Sequence, residues 1–448
     1  MVLTNSDWIT VPETRRNHFM LFARTIRVPA DVAILHVAIT ASYHYELFIN
    51  GHFINRGPVH GDPKWCHVDA LTHVLPADAD ELHVAIVLRH SAGTHLHYLT
   101  PAPPGLRAEF RLGDKLVKTD GTWRCMTLPM WREDVNERGG MLDYIEDYDA
   151  RCEPAGWRHK EFAASADEDW TDAVPVKDAA STWANYRERQ VPLLRRRFLR
   201  PETMRLWRCA ARGADSPEDI SAFTDAEPLM PRGGWRDFAV DALNESLQAG
   251  EANAFTLCLA KEYVGFPHIE FDAPEGVVVE ISTTERLKGE RPLICRWGAT
   301  FSVRYVTRAG RQRFHPFTWD GFRYVHVVIR GSTEQFRFVK AGCLERRAPL
   351  AARHNVSIGD PLLERIFQIS QHTLEIGAQE LLVDCPTREQ APAWADSLFI
   401  AESLWTGFGE RGYLEWYLEA YTHAPLDQHG QIGGRYPTTG YIWLDFSL

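Results

Sequence analysis

Apolar and polar residues alternate along the first quarter of the chain. Leu35, Val37 and Ile39 are separated by His36 and Ala38, which is the period of two expected of a strand with one buried face. Further segments of strand character lie at residues 45–49, 81–88, Leu106–Leu112 and 116–125. Because Gly- and Pro-bearing turns separate them and no helical pattern intervenes, they predict an antiparallel β-sandwich of the jelly-roll type.

One turn in this region is predicted in detail. The strand at residues 45–49 runs into Asn50-Gly51, and the apolar residues Phe53 and Ile54 follow. Asn-Gly between two apolar runs is a strong signal for a two-residue β-hairpin, because both residues tolerate a positive φ. We therefore predict a tight hairpin here.

A second block of strands follows an irregular stretch. Residues 126–198 show no regular period, and we interpret them as a return segment that completes the first sandwich. Strand-like runs resume at residues 277–281, 301–306 and 322–329. The sequence therefore predicts two antiparallel β-sandwich domains, at residues 1–198 and 199–352.

Arginine recurs at the junction of these two domains, at positions 195, 196, 197, 200, 205 and 208. Such a cluster either binds an anionic ligand or forms a strand whose arginines pair with surrounding acids. We favour the second interpretation.

Near residue 358 the period changes from strand to helix. Pro361 suits the first position of a helix, and apolar residues follow it at roughly helical spacing. Trp394–Phe408 and residues 411–421 are two further amphipathic helix candidates. The predicted buried face of the first of these consists of Leu398, Ala401, Leu404 and Trp405. The predicted order is therefore two β-sandwiches followed by a helical domain at residues 353–448.

Composition narrows the class of protein. The 448 residues are 45% apolar and 24% charged, which is typical of a soluble chain with several domains. A net charge of −11 argues against a nucleic-acid partner, and no apolar run reaches the length of about 18 residues that spans a membrane.

The eight cysteines are scattered, and the N-terminus lacks the apolar core of a secretion signal, which predicts a cytoplasmic protein with free thiols. Fifteen tryptophans suit a protein that handles carbohydrate, because sugar C–H faces stack on indole rings.

The segment between the first two predicted helices concentrates reactive groups. Two prolines prevent a continuous helix there, so we predict a loop. Within thirteen residues this segment carries Asp384, Arg388, Glu389, Trp394 and Asp396. Glycoside hydrolysis needs such a set, because one protonated carboxyl group must release the leaving oxygen while ionised groups stabilise an oxocarbenium-like transition state.

The same residues also have a purely structural interpretation. Asp384 would cap a helix, Arg388 and Glu389 would form a surface ion pair, and Trp394 would belong to the core. Composition alone does not choose between the two interpretations.

The pattern Asp-Cys-Pro-x-Arg-Glu, which begins at Asp384 and is followed by Trp394 and Asp396, resembles a signature of the bacterial α-L-rhamnosidases, glycoside hydrolase family 78. Further segments that resemble this family in chain order lie at residues 45–51, 149–151 with 156–157, and 317–325. The sequence departs from the family at Ala393, where glycine often precedes the tryptophan, and at Gln390, where some members carry the acid.

The resemblance implies an inverting hydrolase of terminal α-L-rhamnosides, whose pocket lies in an (α/α)6 barrel after the β domains. It makes Glu389 the general acid. Asp384, Arg388 and Asp396 would bind rhamnose hydroxyls, and Trp394 would form an apolar wall. We expect a rhamnose-containing oligosaccharide or glycoside as the substrate, and no cofactor or metal.

The helical domain is too short for a complete barrel. Residues 355–448 number 94, whereas twelve helices with their loops need at least roughly 180 residues. We expect the first three or four helices only, with the general base on a later helix beyond Leu448. The chain would then be an N-terminal portion, weakly active or inactive alone, and an exposed apolar face would favour homo-oligomers or instability.

Two other classes of function stay open. One is a non-catalytic carbohydrate-binding protein, which the expected absence of the general base supports. The other is a related barrel glycosidase that acts on another sugar, such as fucose or a uronic acid. Function belongs to the site and not to the fold, so fold analogy alone does not choose among them.

Overall fold

The computed structural model of the chain describes residues 3–59, 61–91, 102–139, 142–159, 169–209, 229–296, 298–351, 357–434 and 436–437. Within these residues strands dominate, and the longer helices lie toward the C-terminal end. None of the helices in this part of the chain has the length and apolar character that crossing a lipid bilayer requires.

Two sheets form the first β-sandwich, and within the described residues they have seven and six strands. The seven-stranded sheet contains, in spatial order, Val174–Pro175, Ile9–Thr10, Leu106–Leu112, Ile34–Ala41, Trp65–Val74 and Asn185–Glu188, with Lys115–Lys118 beside Leu106–Leu112. The six-stranded sheet contains Thr171–Asp172, Arg124–Thr127, Asn17–Arg27, Glu81–Ser91, Tyr45–Ile49 and His52–Gly57. The neighbouring strands are antiparallel apart from Asn185–Glu188, which runs parallel to Trp65–Val74.

The predicted hairpin at Asn50-Gly51 is confirmed. Asn50 has a φ of 48° and Gly51 a φ of 79°, which are the positive values that this turn requires. The strands on either side of the turn pair directly, with Ile49 opposite His52.

The strand predicted at residues 116–125 is two strands instead. Lys115–Lys118 belongs to the seven-stranded sheet and Arg124–Thr127 to the six-stranded sheet. The chain turns between them at Asp120, whose carboxylate accepts a hydrogen bond from the amide of Thr122 at 2.9 Å. Aspartate commonly stabilises a turn in this way, and the turn lets the chain pass from one sheet to the other.

The six-stranded sheet is buried on both faces. In the strand Asn17–Arg27, Met20 and Phe22 belong to the core between the two sheets of the sandwich. Phe19 and Leu21 belong to a second apolar cluster, which continues into the next domain. Because both faces of this strand are buried, its apolar residues are consecutive and do not alternate with polar ones. Each fully buried apolar side chain contributes about 1.5–3 kcal/mol to stability.

One further large sheet, of eleven strands within the described residues, forms the next domain, and we call it the second sheet because it belongs to the second β domain. Its main path is Asp147–Asp149, Ser302–Val306, Val278–Thr284, Asp320–Arg330, Ala254–Ala273, Thr203–Arg208 and Met230–Pro231. Off this path lie Arg337–Arg347, Gly310–Phe314, Arg195–Leu199 and Arg236–Asp237. Short two-stranded pairs join Glu137–Gly139 to Leu142–Tyr144, Leu287–Lys288 to Arg291–Pro292, and Cys295–Arg296 to Ala299–Thr300.

Two strands of the eleven-stranded sheet come from the return segment that was predicted to belong to the first domain. Asp147–Asp149 pairs in parallel with Ser302–Val306, and Arg195–Leu199 pairs along Arg337–Arg347. The return segment is therefore shared between the two β domains, because some of its backbone groups find their hydrogen-bond partners on the second sheet.

Arg195–Leu199 at the junction is a strand, as we favoured, and its Arg196 and Arg197 pair with acids. Nη2 of Arg196 lies 2.5 Å from Oε1 of Glu46, and Nη2 of Arg197 lies 2.8 Å from Oε2 of Glu345. Glu46 belongs to the first β-sandwich, so the pair with Arg196 also links the two β domains.

Five α-helices occur within the described residues: α1 (Ala179–Thr182), α2 (Val240–Gln248), α3 (Pro361–Gly377), α4 (Trp394–Phe408) and α5 (Gly412–His423). The predicted start of α3 is confirmed, since Pro361 is its first residue. The Asp360 carboxylate caps the helix by accepting hydrogen bonds from the amides of Leu362 and Leu363, at 2.8 and 3.2 Å.

The last three helices pack against both β domains. The ring of His423 in α5 stacks on Trp65 of the first sandwich, with 3.6 Å between ring centroids. Glu375 of α3 accepts a hydrogen bond from Nη2 of Arg347 in the second sheet at 2.5 Å. These contacts hold the helices where the two β domains meet.

The predicted buried face of α4 is correct in part. Ala401 and Leu404 are fully buried, but Trp405 is 42% exposed. Trp405 lies at the surface, where its ring centroid is 5.8 Å from the guanidinium carbon of Arg411.

An apolar stripe on α3 is exposed, as the sequence predicted for an open helical layer. Leu362, Ile366 and Ile369 are 68%, 51% and 51% exposed, and their spacing places them on one side of the helix. An exposed apolar stripe of this kind favours association.

We expect this stripe to drive self-association of the chain. The triple change Leu362→Lys, Ile366→Lys and Ile369→Lys should shift the protein toward monomer in sedimentation velocity, because it replaces apolar surface with mutually repelling charge. Gln368→Lys, an exposed change on the same helix, is the control and should leave the distribution unaltered. A parent protein that sediments as a monomer at every concentration would contradict this expectation.

We also expect the fold to lose stability in mild acid. His18, His67, His90 and His326 are buried; burial lowers their pKa values, to about 4 for the first three and about 3 for His326. In the unfolded chain each titrates near pH 6.5, so below that pH the unfolded state binds protons that the native state does not. The free energy of unfolding should therefore fall as the pH drops from about 6.5 toward 4, by up to about 1.4 kcal/mol per pH unit for each histidine.

Urea unfolding at several pH values between 7.5 and 4.5 tests this expectation (a range chosen around the ordinary histidine pKa of about 6.5). His326→Gln should reduce the slope by roughly one proton, whereas His36→Gln, at an exposed position, should keep the parental slope. A stability that is independent of pH across this range would disprove the linkage.

Candidate active site

The loop between α3 and α4 folds back on itself. The amide of Asp384 donates to the carbonyl of Ala391 at 3.1 Å, and the amide of Gln390 donates to the carbonyl of Cys385 at 3.0 Å. The amide of Glu389 donates to Sγ of Cys385 at 3.2 Å. Residues 384–391 are therefore a compact turn, as the two prolines predicted, and not a continuation of either helix.

The second sheet anchors this loop. The amide of Gly321 donates to the carbonyl of Pro386 at 3.0 Å. The side-chain amide of Gln390 donates to the carbonyls of Trp319 and Pro386, at 3.0 and 2.9 Å. Thr387 donates its hydroxyl hydrogen to the carboxylate of Glu285. Backbone groups at the start of one strand thus determine where the loop lies.

Gln390 is the residue on which the loop turns. It has a φ of 50°, which is uncommon for a residue with a Cβ atom and indicates that its surroundings hold it in place. Its side chain is 3% exposed and is held by the two carbonyls described above. In the sequence Gln390 stands out only as a departure from the family, and no local pattern indicates this positioning role.

The structure brings together three of the predicted site residues. Oxygen atoms of Asp384 and Glu389 and Sγ of Cys385 all lie within 4.8 Å of one another. Arg388 donates a hydrogen bond to Oε1 of Glu389. Glu389 is buried at 6% exposure, whereas the side chain of Arg388 is 37% exposed, so the ion pair stands at the edge of the protein surface.

The thiol of Cys385 lies close to both carboxylates. Burial, and then the neighbouring charge of Asp384, raise the pKa of its thiol. The grouping of Asp384, Cys385 and Glu389 is close enough to share a metal ion. The cationic guanidinium of Arg388, which contacts Glu389, opposes cation binding, and we assign these residues no metal role.

The surroundings of Trp394 and Asp396 differ from those of Asp384, Arg388 and Glu389. Trp394 is 1% exposed, its indole N–H donates to the carbonyl of Gly433 at 2.6 Å, and its carbonyl accepts a hydrogen bond from the Tyr417 hydroxyl at 2.7 Å. These are the surroundings of a core residue, which is the structural interpretation that the sequence left open. Asp396 is exposed in the first turn of α4, where a carboxylate interacts favourably with the helix dipole.

The residues that support the loop from the second sheet carry no signal in the sequence that predicts this role. Glu285, Trp319 and Gly321 contact the loop across more than sixty positions of sequence. Trp319 and Gly321 lie within the 317–325 segment that resembles family 78, but that resemblance alone did not predict contact with the loop.

No family model and no curated protein matches this sequence. Solved structures do match its fold. The family 78 rhamnosidase of Bacillus sp. GL1 has a TM-score of 0.80 at 18% identity, covering 98% of this chain and 65% of that enzyme. The α-L-rhamnosidase of Streptomyces avermitilis, solved with L-rhamnose, has a TM-score of 0.69 at 17% identity, covering 95% of this chain and 38% of that one. The enzyme of Aspergillus terreus has a TM-score of 0.69 at 14% identity, covering 97% and 47%.

The chain therefore has the fold of part of an α-L-rhamnosidase of glycoside hydrolase family 78. This confirms, for the fold, the resemblance read from the sequence. The chain spans less than two thirds of the length of each of these enzymes.

We expect the contact between Gly321 and Pro386 to be sensitive to size. A Cβ atom at Gly321 would lie 2.9 Å from Cγ and 3.0 Å from Cβ of Pro386, and a proline ring cannot rotate away. Gly321→Ala should therefore destabilise the protein by about 1–3 kcal/mol. Gly407→Ala, in α4 with open space around it, should be neutral or stabilising by up to about 1 kcal/mol.

Urea unfolding of both variants and the parent provides the comparison. If Gly321→Ala were as stable as Gly407→Ala, the loop would not be packed against the second sheet as described.

Proposed function

We propose that the protein is a glycoside hydrolase that acts on terminal α-L-rhamnosides, with Glu389 as the general acid. One observation carries the proposal: the loop places Asp384, Arg388 and Glu389 side by side, in a chain that has the fold of α-L-rhamnosidases. Glycoside hydrolysis requires a carboxyl group that can protonate the leaving oxygen, together with ionised neighbours that stabilise positive charge. The substrate would be a rhamnose-containing oligosaccharide or glycoside.

Arg388 would alternate between two partners. An arginine contact favours the ionised form of a carboxyl group, so proton delivery by Glu389 requires Arg388 to move away from it. The partial exposure of Arg388 permits such a movement. We propose that a bound sugar hydroxyl or Asp384 then accepts the contact from Arg388, which leaves Glu389 free to carry a proton to the leaving oxygen.

The general base would be a different carboxylate. Inverting glycosidases separate their two carboxyl groups by about 6.5–9.5 Å, to leave room for water. Asp384 approaches Glu389 to within 4.8 Å, which is too close for that role. Asp384 and Asp396 are therefore proposed to bind hydroxyls. We propose that α3 to α5 begin an (α/α)6 barrel whose remaining part, outside residues 1–448, supplies the base.

Trp394 would have a structural role in the core. Because it is buried, we propose that it fixes the start of α4 relative to the loop and does not itself line the pocket. The eight free cysteines support a reducing compartment, and we propose a cytoplasmic location.

Hydrolysis of an aryl α-L-rhamnoside by the 448-residue chain is the direct test. Without the base we expect turnover to be weak or undetectable. Any turnover should be lost in Glu389→Gln, because the amide cannot donate the proton. Glu402→Gln, the same change at an exposed position of α4, should keep the parental rate. Turnover that survives in Glu389→Gln would refute the assignment of the acid.

Sugar binding provides a readout that does not depend on the base. We expect L-rhamnose to bind more tightly than L-fucose in calorimetric titration, and Asp384→Asn to weaken the binding of L-rhamnose. Rhamnose binding that is indifferent to both Asp384→Asn and Glu389→Gln would favour a non-catalytic carbohydrate-binding protein. A preference for fucose or a uronic acid would favour a related glycosidase.

A further inference from the structure

A cavity of about 300 Å³ lies between the two β domains, apart from the loop at residues 384–391. Glu46 and Phe48 line it from the first sandwich, and Phe198, His268 and Lys340 line it from the second sheet. Its volume is at the lower end of small-molecule sites, which begin at about 300 Å³ and enclose ligands of monosaccharide size and larger.

Strand register brings the polar lining residues together. Glu270 lies directly opposite Lys340 on one neighbouring strand and Arg313 on another. Successive side chains on a strand point to opposite faces. Ile269 and Phe271, on either side of Glu270, belong to the apolar cluster, so the polar residues share the face that lines the cavity.

The cavity carries more positive than negative charge. Four cationic side chains line it, Arg158, Arg196, Arg313 and Lys340, and its carboxylates are Glu46 and Glu270. Both carboxylates are already engaged. Oε1 of Glu46 lies 2.5 Å from Arg196, and Oε1 of Glu270 lies 2.9 Å from Nε2 of His268 and 3.8 Å from Nζ of Lys340.

Two guanidinium groups of the lining have no close carboxylate partner in the described part of the chain. Among the residues that the structure describes, Arg158 and Arg313 form no close ion pair, and Nε of Arg158 is buried without a hydrogen-bond partner. Arg313 interacts with Glu270 only through longer-range electrostatics. The guanidinium carbon of Arg158 instead lies 4.3 Å from the ring centroid of Trp157 and 5.0 Å from that of Phe48. Both arginines line the cavity, and a carboxylate placed there would satisfy them.

The other groups of the lining suit an uncharged, polar ring. Burial lowers the pKa of His315 to about 3 and also lowers that of His268, so both imidazoles are neutral at pH 7 and offer hydrogen bonds without charge. The ring faces of Phe53, Phe198 and Trp157 lie beneath Arg196, Lys340 and Arg158 at 3.5, 4.0 and 4.3 Å. Aromatic rings next to polar groups match the mixed surface of a sugar.

We propose that this cavity binds a carboxylate-bearing monosaccharide, a hexuronate, with the carboxylate held by Arg158 and Arg313 and the sugar ring held by the aromatic and imidazole groups. This site is separate from the proposed catalytic loop. It does not depend on the assignment of rhamnoside hydrolysis.

Calorimetric titration of the full chain with sodium D-glucuronate, D-glucose and inorganic phosphate tests the proposal. Glucuronate should bind saturably and at least about tenfold more tightly than glucose, because a charge-assisted contact to arginine is worth at least that factor. Affinity for glucuronate should fall as salt is added. Phosphate should bind more weakly than glucuronate, since it cannot use the ring-binding groups.

Variants provide the matched comparison. Arg313→Gln and Arg158→Gln should each weaken glucuronate binding about tenfold. Arg311→Gln removes the same charge from the same strand, but Arg311 does not line the cavity and is already paired with Asp272 at 2.7 Å, so it should keep the parental affinity. Glucuronate should raise the melting temperature of the parent and of Arg311→Gln but not that of Arg313→Gln. A cooperative transition of ligand-free Arg313→Gln near the parental melting temperature would exclude misfolding as the cause.

Several outcomes would overturn the proposal. Equal affinity for glucose and glucuronate would show that the arginines do not bind the carboxylate. Phosphate that binds as tightly as glucuronate would indicate a general anion site. Loss of glucuronate binding in Glu389→Gln would place the ligand in the catalytic loop. Equal effects of Arg311→Gln and Arg313→Gln would exclude the cavity as the site.

Discussion

The six-stranded sheet of the first domain is buried on both faces, and the other parts of the structure depend on this burial. Its strand Glu81–Ser91 is buried along almost all of its length, with one side in the sandwich core and the other in the cluster shared with the second sheet. Separating the two β domains would expose that second face to water, at about 25 cal/mol for each Å² of apolar surface. The two domains therefore share one apolar core.

Polar contacts at the edge of this core determine the position of the candidate site. The carboxylate of Glu146 accepts hydrogen bonds from the amides of Phe317 and Thr318, at 2.8 and 2.6 Å, and Nη1 of Arg89 donates to the Thr318 hydroxyl at 2.5 Å. The residues that follow, at 319–321, hold the loop through Gln390 and Pro386. A chain of contacts thus runs from the first domain, through the start of a strand in the second, to the proposed acid.

A cluster of buried ions lies near the junction of the three parts. Arg56, Arg196 and Arg346 surround the ring of Phe266, with guanidinium carbons 5.8, 5.0 and 5.9 Å from its centroid. Glu46 pairs with the first two arginines, and Arg346 pairs with Glu380, which precedes the loop at residues 384–391. Burial opposes the charge of Glu46, but Arg196 and Arg56 outweigh it and lower its pKa to about 2. Arginines exceed carboxylates in this cluster, which is consistent with the cationic character of the neighbouring cavity.

Local patterns in the sequence determined much of the structure. The hairpin at Asn50-Gly51, the start of α3 at Pro361 and the loop after Asp384 follow from backbone preferences, which act over a few residues. The grouping of Asp384, Arg388 and Glu389 is also local, so its short spacing was enough to predict it. Only the tertiary structure decided that Gln390 and Gly321 hold this loop, that Trp394 is buried while Trp405 is exposed, and that Arg158 and Arg313 line one cavity. These features depend on contacts between distant segments, and the packing that creates them leaves no periodic signal in the chain.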